Sequence, residues 1–600
     1  MKKIVFVTLL VLAILSSSCI SKDKKYFAKE LTFPENITPE QKIKLSAYLT
    51  PTERQYEWQQ LELTAFIHFG MNTFTGREWG DGKEDPALFN PTDFNAEQWV
   101  TSLQEAGFKM IILTAKHHDG FCLWPTATTK HSVQSSPWRD GTGDIVRELK
   151  NACDKHGMKF GVYLSPWDRN AESYGDSPRY NAMFVDQLKE LLTNYGEVHE
   201  VWFDGANGEG PNGKRQIYDW TRFYHVIDSL QPKAVKAIMG NDVRWVGNES
   251  GLGRETEWSV TPLNPDINEA ITAENKRLDI NPTAKDLGSR TLIAEAKTLY
   301  WYPSEVDVSI RPGWFYHPEQ DHQVKTLQHL VDIYYQSVGM NSVLLLNIPP
   351  DKRGLLHEVD VARLKEFGAY IKNVFENNKI TAGNIAWTAQ NGDFKEFTTN
   401  GDTINTVMLQ EDIKKGQRVE VFKIEGFINN DWVKLAEGTT IGYKRLLKFD
   451  NCAPSKIRVT VIETREKANI AAVGAYRAPA IAESSGELNL SDVAKEKWTV
   501  KTNNPLIVDM GETVSVKGFT YKPVDGKESV FTFAFSVSND GKSWNELKKG
   551  EFSNIKNNPI PQFIRFDNNV SAKFFRFETI TGADGGKPSV AIGQIGILTQ

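Results

Sequence analysis

A multidomain chain, with a (β/α)8-type barrel followed by two β-sandwich domains, is the fold class the sequence predicts. Three observations predict it. Over roughly 330 residues from about residue 48, short β-rich runs alternate with helix-like segments, which calls for a parallel sheet with crossover helices. Past about residue 380 the helix signal vanishes. Two stretches of about a hundred residues each then show short alternating strands broken by Gly, Asn and Asp turns. The length, 600 residues, is too great for one ordinary domain, at roughly 150 residues per domain. The expected limits are 1–19 for a signal, 20–47 for a tether, 48–375 for the barrel, 380–478 for the first sandwich and 490–600 for the second.

Taken in order, "MKKIVFVTLLVLAILSSSC" places Lys2 and Lys3 before an apolar run and then small residues before Cys19. This is the composition of a secretory signal, too short to cross a bilayer comfortably. The small-residue run resembles a bacterial lipobox, which implies an acylated Cys19, an exported protein and contact with a membrane only through that anchor. Ser16 stands where the lipobox pattern most often has leucine, and a plain cleaved signal is the other reading. The polar "SKDKKYFAKELTFPENITPEQK" reads as a tether.

The runs "FIHFG" (66–70), "MIILTAK" (110–116), "KFGVYLSP" (159–166), "EVWFD" (200–204), "AVKAIMG" (234–240) and "SVLLLNIPP" (342–350) read as barrel strands. Between them, "NAEQWVTSLQEAG", "DIVRELKNACDKHG" and "YNAMFVDQLKELLTNYG" repeat apolar residues at helical spacing and close on glycine. Residues 241–311 are less regular, so the barrel is expected to be imperfect there. "RAPAIAESSGELNLSD" reads as a linker between the sandwiches. In the last stretch, "FAFSVSNDGKSWNEL" and "SAKFFRFETI" resemble the discoidin-like (factor 5/8 type C) sandwich. That resemblance implies either a carbohydrate-binding module or a buttress for the barrel.

A net charge of -6 with no basic run beyond the extreme N-terminus argues against a nucleic-acid partner. Cys122, Cys153 and Cys452 are scattered, without the spacing of a disulfide framework or a metal site.

The chemistry gathers at the strand ends. "EVHEVWFDGANG" runs apolar into Asp204 and then breaks into glycines, so a parallel strand would carry Asp204 to its carboxyl end, where barrel enzymes hold their active sites. A plain cap of the next segment is the simpler reading of Asp204 alone. However, His68 follows "FI", Lys116, His117, His118 and Asp119 follow "IILTA", and Tyr163 lies in "GVYLSPW". Several strands ending this way favour a site. Neighbouring residues of a strand face opposite ways, so one of His117 and His118 at most is expected to aim at a given point. No HExxH spacing occurs, and neither a metal nor another cofactor is expected. Trp79, Trp124, Trp167, Trp245, Trp258, Trp301 and Trp314 fall in loops or strand ends, where indoles pack either on sugar rings or in the core. Sugar hydrolysis needs a second carboxyl group, and Glu249, Glu255, Glu257 and Glu305 all remain open by position.

"FIHFG", "EW" at Glu78 and Trp79, "AKHHDGF", "VWFDGA", "NDVRW" and "SIRPGWFYH" together resemble glycoside hydrolase family 29, the retaining α-L-fucosidases, over 48–375. The resemblance implies Asp204 as nucleophile and His68, Glu78, Trp79, His117, His118 and Tyr163 around fucose. It further implies Arg244 beside the catalytic carboxylates and Trp314 near the sugar's methyl group. "GNE" and "DVSIRPGWFYH" look most like the branch that cleaves α-1,3 and α-1,4 fucose from branched glycans. In that branch the "GNE" glutamate is the acid/base, here Glu249, with Glu257 and Glu305 in reserve. The implied substrate is a fucosylated oligosaccharide or glycoprotein glycan. Broad-specificity fucosidases, other exo-glycosidases such as an α-galactosidase-like barrel, and a catalytically silent sugar-binding barrel are the alternatives.

Overall fold

The computed structural model describes residues 29–264, 269–381, 385–482, 491–492, 504–524, 529–583 and 592–599. The expected signal at 1–19, with Cys19, lies outside them, as does half of the expected linker between the sandwiches, residues 483–490.

Eight parallel strands form the central sheet: β1 (Leu63–Ile67), β2 (Met110–Lys116), β3 (Lys159–Leu164), β4 (Glu200–Phe203), β5 (Val235–Ile238), β6 (Arg244–Trp245), β7 (Ser304–Ser309) and β8 (Val343–Asn347). Their order is β5-β4-β3-β2-β1-β8-β7-β6, a barrel that is nearly closed, with β5 and β6 as its unpaired edges. The residues between those two edges are too few for a crossover helix. Instead the chain doubles back, and the Asp242 and Val243 amides both donate to the Lys236 carbonyl at 3.2 Å. The irregularity expected over 241–311 is this gap. β6 is too short to show alternation, and β7 hides among its own carboxylates.

Around the sheet lie α1 (Ala96–Glu105), α2 (Ile145–His156), α3 (Ser177–Asn194), α4 (Trp220–Leu230), α5 (Leu327–Ser337) and α6 (Glu358–Glu376). Asn95, Asp144, Asp219 and Thr326 each accept a first-turn amide with the side chain, caps that contribute about 1 kcal/mol apiece. Gly157 ends α2 at φ +67°, a conformation that favours glycine.

Strand alternation divides the core in two. Leu63, Ala65, Ile67, Ile111, Leu113, Val201, Phe203, Leu344 and Leu346 pack outward against the helices. Phe66, Met110, Ile112, Tyr163, Trp202, Val343 and Leu345 fill the barrel interior. Glu200, Glu305 and Asp307 share the parity of this inner set, so the barrel carries carboxyl groups inside it.

Residues 29–47 correct the tether reading. Glu30–Thr32 pairs antiparallel with Thr298–Trp301, and Pro39–Ser46 is a helix whose Thr38 and Gln41 form a capping box. Among the described residues of that stretch, Thr38, Glu40 and Gln41 belong to this cap and the helix's first turn; residues 20–28 lie outside the described residues.

The first sandwich is two four-stranded antiparallel sheets between Trp387 and Tyr476, closed over Val407, Leu409, Phe422, Ile424, Val459 and Val473. Among the described residues, the last domain forms an antiparallel six-stranded sheet dominated by the long strands Leu506–Pro523 and Gln562–Gly582. Its core is aromatic: Phe519 stacks on Phe535 at 4.5 Å, and Phe533 on Phe552 at 4.4 Å.

Candidate active site

At the carboxyl ends of the barrel strands lies a cavity of about 480 Å³, within the size range of small-ligand sites. His68, Glu78, Trp79, His117, His118, Tyr163, Asp204, Arg244, Glu249 and Trp314 all line it. The residues singled out from sequence therefore converge on one place. Glu255, Glu257 and Glu305 do not line it.

Asp204 follows β4 with the same parity as Trp202 and so points over the barrel axis. Its Oδ1 accepts the Ala206 amide at 2.7 Å, and its Oδ2 accepts the Tyr163 hydroxyl at 3.0 Å. The capping role and the site role coexist, one on each oxygen. Burial, and then the Asp204 charge, hold the Tyr163 phenol well above its ordinary pKa, so it stays a donor.

The paired histidines depart from the one-face expectation, since both enter the cavity, with ring centroids 4.2 Å apart. The pairing of β2 with β3 slips between Thr114 and Lys116, the strand ends at Lys116, and alternation no longer governs the next residues. Lys116 itself turns away to Asp168 at 3.0 Å and Gln187. Asp119 stays beneath the cavity, its carboxyl pushed up to about 8 by burial.

The partners of the three rings fix their protons. His68 Nδ1 meets Asn347 Oδ1 at 2.9 Å, and Asn347 Nδ2 is oriented by the Ser309 hydroxyl and the Trp314 carbonyl, so His68 donates from Nδ1. His118 Nδ1 meets Ser165 Oγ at 2.7 Å, while that hydroxyl donates to the Trp167 carbonyl, so His118 also donates from Nδ1. Burial pulls His68 down to about 3 and His118 down to about 4, so both rings are neutral and keep Nε2 as an acceptor. His117 Nδ1 faces the Asn72 amide at 3.3 Å, which leaves its proton on Nε2. Two acceptors and one donor converge, an arrangement that recognises hydroxyl groups. Among the described residues no group of three or more His, Cys, Asp or Glu side chains has the arrangement to hold a metal ion.

Glu249 lies in the loop after β6. Its Oε2 accepts from Trp314 Nε1 at 3.1 Å and from Asn554 Nδ2 at 2.5 Å, and its Oε1 accepts from Asn557 Nδ2 at 3.0 Å. Burial pushes its pKa up to about 7. The Asn554 bond opposes that rise and the Asp204 charge adds to it. Glu78 is buried and accepts the Trp314 amide at 3.0 Å.

Arg244 stands on the same cavity as the two carboxyl groups it is expected beside. Its guanidinium bonds to Glu257 and to the Tyr302 and Trp258 carbonyls rather than to Asp204 or Glu249. Glu257, bridged also by Arg254 at 3.2 Å, is the counter-ion of this cluster. Of the other tryptophans, Trp245 lines the cavity, Trp167 packs against Trp79 and His118, and Trp124, Trp258 and Trp301 are core.

Sequence reasoning missed Trp202 and Asp307, and more notably Asn554, Lys556 and Asn557, all of which line the cavity. The parity of β4 and β7 could have supplied the first two. No local signal marks the others, which arrive from the last domain.

The α-L-fucosidase family pattern matches residues 41–376, and the F5/8 type C domain pattern matches 480–592. Alpha-L-fucosidase 1 of Arabidopsis thaliana is 38% identical over 464 residues, 71% of this chain and 87% of the plant protein. A crystal structure of a candidate α-L-fucosidase from Bacteroides ovatus is 57% identical, with a TM-score of 0.76 over 96% of this chain and 100% of that one. A Ruminococcus gnavus family 29 fucosidase solved in complex with fucose is 31% identical, with a TM-score of 0.63 over 72% of this chain and 95% of that one. With the family pattern covering more than half its length, the chain belongs to the α-L-fucosidases of glycoside hydrolase family 29, joined to an F5/8 type C domain.

Proposed function

We propose that the protein is a retaining exo-fucosidase that removes terminal α-1,3- or α-1,4-linked L-fucose from branched oligosaccharides or glycoconjugates. Asp204 is its nucleophile and Glu249 its acid/base. The observation that carries this reading is the contrast between two carboxyl groups on one cavity. Asp204 is oriented by Tyr163 and the Ala206 amide, while Glu249 has a pKa of about 7, suited to giving and retaking a proton near neutrality.

In the first step an Asp204 oxygen attacks the anomeric carbon as the glycosidic C–O bond breaks, and Glu249 gives its proton to the departing oxygen. In the second, Glu249 takes a proton from water, whose oxygen attacks the same carbon and releases the Asp204 carboxylate. His68, His117 and His118 bind the sugar hydroxyls, and Trp314 packs near the methyl group. The linkage preference rests on the "GNE" and "DVSIRPGWFYH" resemblance. The lipobox resemblance at the N-terminus supports the further reading that the enzyme is exported and held to a membrane through an acylated Cys19, with a plain cleaved signal as the other reading.

The test is fucose release from trisaccharides that differ only in linkage, with the first-formed anomer followed by NMR. Release of α-fucose from the 1,3 and 1,4 isomers ahead of the 1,2 isomer is expected. β-Fucose as first product would overturn the retaining mechanism, and a preference for the 1,2 linkage would overturn the branch reading.

A further inference from the structure

The segment 552–558 belongs in sequence to the F5/8 type C domain, yet in space it closes one side of the barrel's cavity. The approach is anchored at several points. Glu551 Oε1 accepts the Glu78 amide at 2.6 Å, Ser553 Oγ bonds His317 Nε2 at 3.0 Å, and Asn558 Nδ2 donates to the Pro312 carbonyl at 3.2 Å. Gly313 permits the contact, since a Cβ there would stand 2.3 Å from Ser553 Cβ. From this footing Asn554, at φ +51°, and Asn557 turn their amides onto the two oxygens of Glu249. Asparagine tolerates that left-handed backbone better than other residues with a side-chain amide.

We infer that the F5/8 type C domain is a working part of the active site: Asn554 and Asn557 are positioning residues that hold the Glu249 carboxyl, and the loop carrying them forms the leaving-group wall of the cavity. This inference rests on Glu249 being the acid/base. The group that protonates the departing oxygen faces the leaving sugar, so whatever grips that group borders the same sugar. Oε2 already accepts from Trp314 and Asn554 together. The catalytic proton therefore belongs on Oε1, whose exposed partner Asn557 borders the cavity on the solvent side. Both amides donate, and donors favour the ionised carboxylate, which opposes the effect of burial and of Asp204. The loop thus orients Glu249 and also keeps its pKa from rising further.

Asn554→Gly, which removes the amide without backbone strain, and Asn557→Ala test this in the full-length protein, with Glu249→Ala in parallel. The alkaline limb of kcat/KM is expected to move up by on the order of one pH unit in the asparagine variants. At its optimum, kcat on a fucosylated oligosaccharide should fall roughly tenfold or more, while an aryl fucoside with a good leaving group is much less affected. An unmoved alkaline limb, or an equal loss on both substrates, would reduce the loop to a buttress and overturn the inference, while azide rescue of Glu249→Ala kept the acid/base assignment intact. Absence of that rescue, with near-wild-type oligosaccharide cleavage by Glu249→Ala, would overturn both.

Discussion

Among the barrel's carboxyl groups, Asp204 and Glu249 at its mouth and Glu200 and Glu305 in its interior make two pairs that share several features. In the interior, Glu200 accepts from Trp58 Nε1 at 2.8 Å and Glu305 from Trp202 Nε1 at 2.7 Å. At the mouth, Glu249 likewise accepts from an indole, that of Trp314. Burial pushes Glu200 up to about 8 and Glu305 well above the carboxylate range, further than Glu249 at about 7. A raised pKa therefore does not mark a site by itself. The difference is access. Asp204 and Glu249 border the cavity, whereas Glu200 and Glu305 are fully buried among the strands. Burial holds the interior pair in its protonated form away from any ligand, whereas Glu249 at the mouth stands where a substrate can take its proton.

The largest effect that would sharpen this contrast is at Asp204. Asp204→Asn keeps an oxygen for the Ala206 amide, so the melting temperature should hardly move, but an amide cannot form the glycosyl ester. Turnover should fall by on the order of a thousandfold or more. Wild-type turnover in this variant would erase the distinction between mouth and interior.

Next comes Glu249. Its acid form is lost as pH rises through about 7, so kcat/KM of the wild type should fall above that value. Glu249→Ala should lose oligosaccharide cleavage by roughly 10² to 10⁴, keep reactivity toward activated aryl fucosides, and be accelerated by azide, which needs no base. The same leaving-group dependence appearing at Glu257 instead would move the acid/base to the Arg244 cluster.

What was legible in the sequence follows from how far each signal reaches along the chain. β2 matches its run because "MIILTAK" is both apolar and bounded, while β6 and β7 escaped because one is two residues long and the other alternates carboxylates with valines. His68 and Asp204 were visible as polar ends of apolar strands, and their parity with Phe66 and Trp202 aims them inward. His117 and His118 broke the alternation rule through a register slip that depends on pairing with a neighbouring strand. Asn554 and Asn557 were invisible for a stronger reason. They stand about 300 residues from Glu249 in an ordinary-looking turn, and only the docking of the last domain on the barrel gives them a role.

The smallest expected effect, and the one that isolates the interior pair, is Glu305→Gln. A glutamic acid whose pKa is raised by folding favours the folded state fully below the unfolded value of about 4.3. That stabilisation is lost as pH rises through the folded value, about 8 for Glu200. The wild type should accordingly lose stability between roughly pH 5 and 8, as the unfolded chain releases protons that the folded interior retains. Glutamine at 305 imitates the protonated acid. Its oxygen can still accept the Trp202 indole, its amide can donate to Glu200, and the repulsion between two charges disappears. Stability at pH 5 should stay within about 1 kcal/mol of wild type, and the decline in melting temperature toward pH 8 should become shallower. Activity on both aryl and oligosaccharide substrates should be unchanged, because neither interior carboxyl reaches the cavity. A large loss of activity in Glu305→Gln with an unaltered melting profile would show the interior pair taking part in the chemistry, and the contrast between mouth and interior would fall.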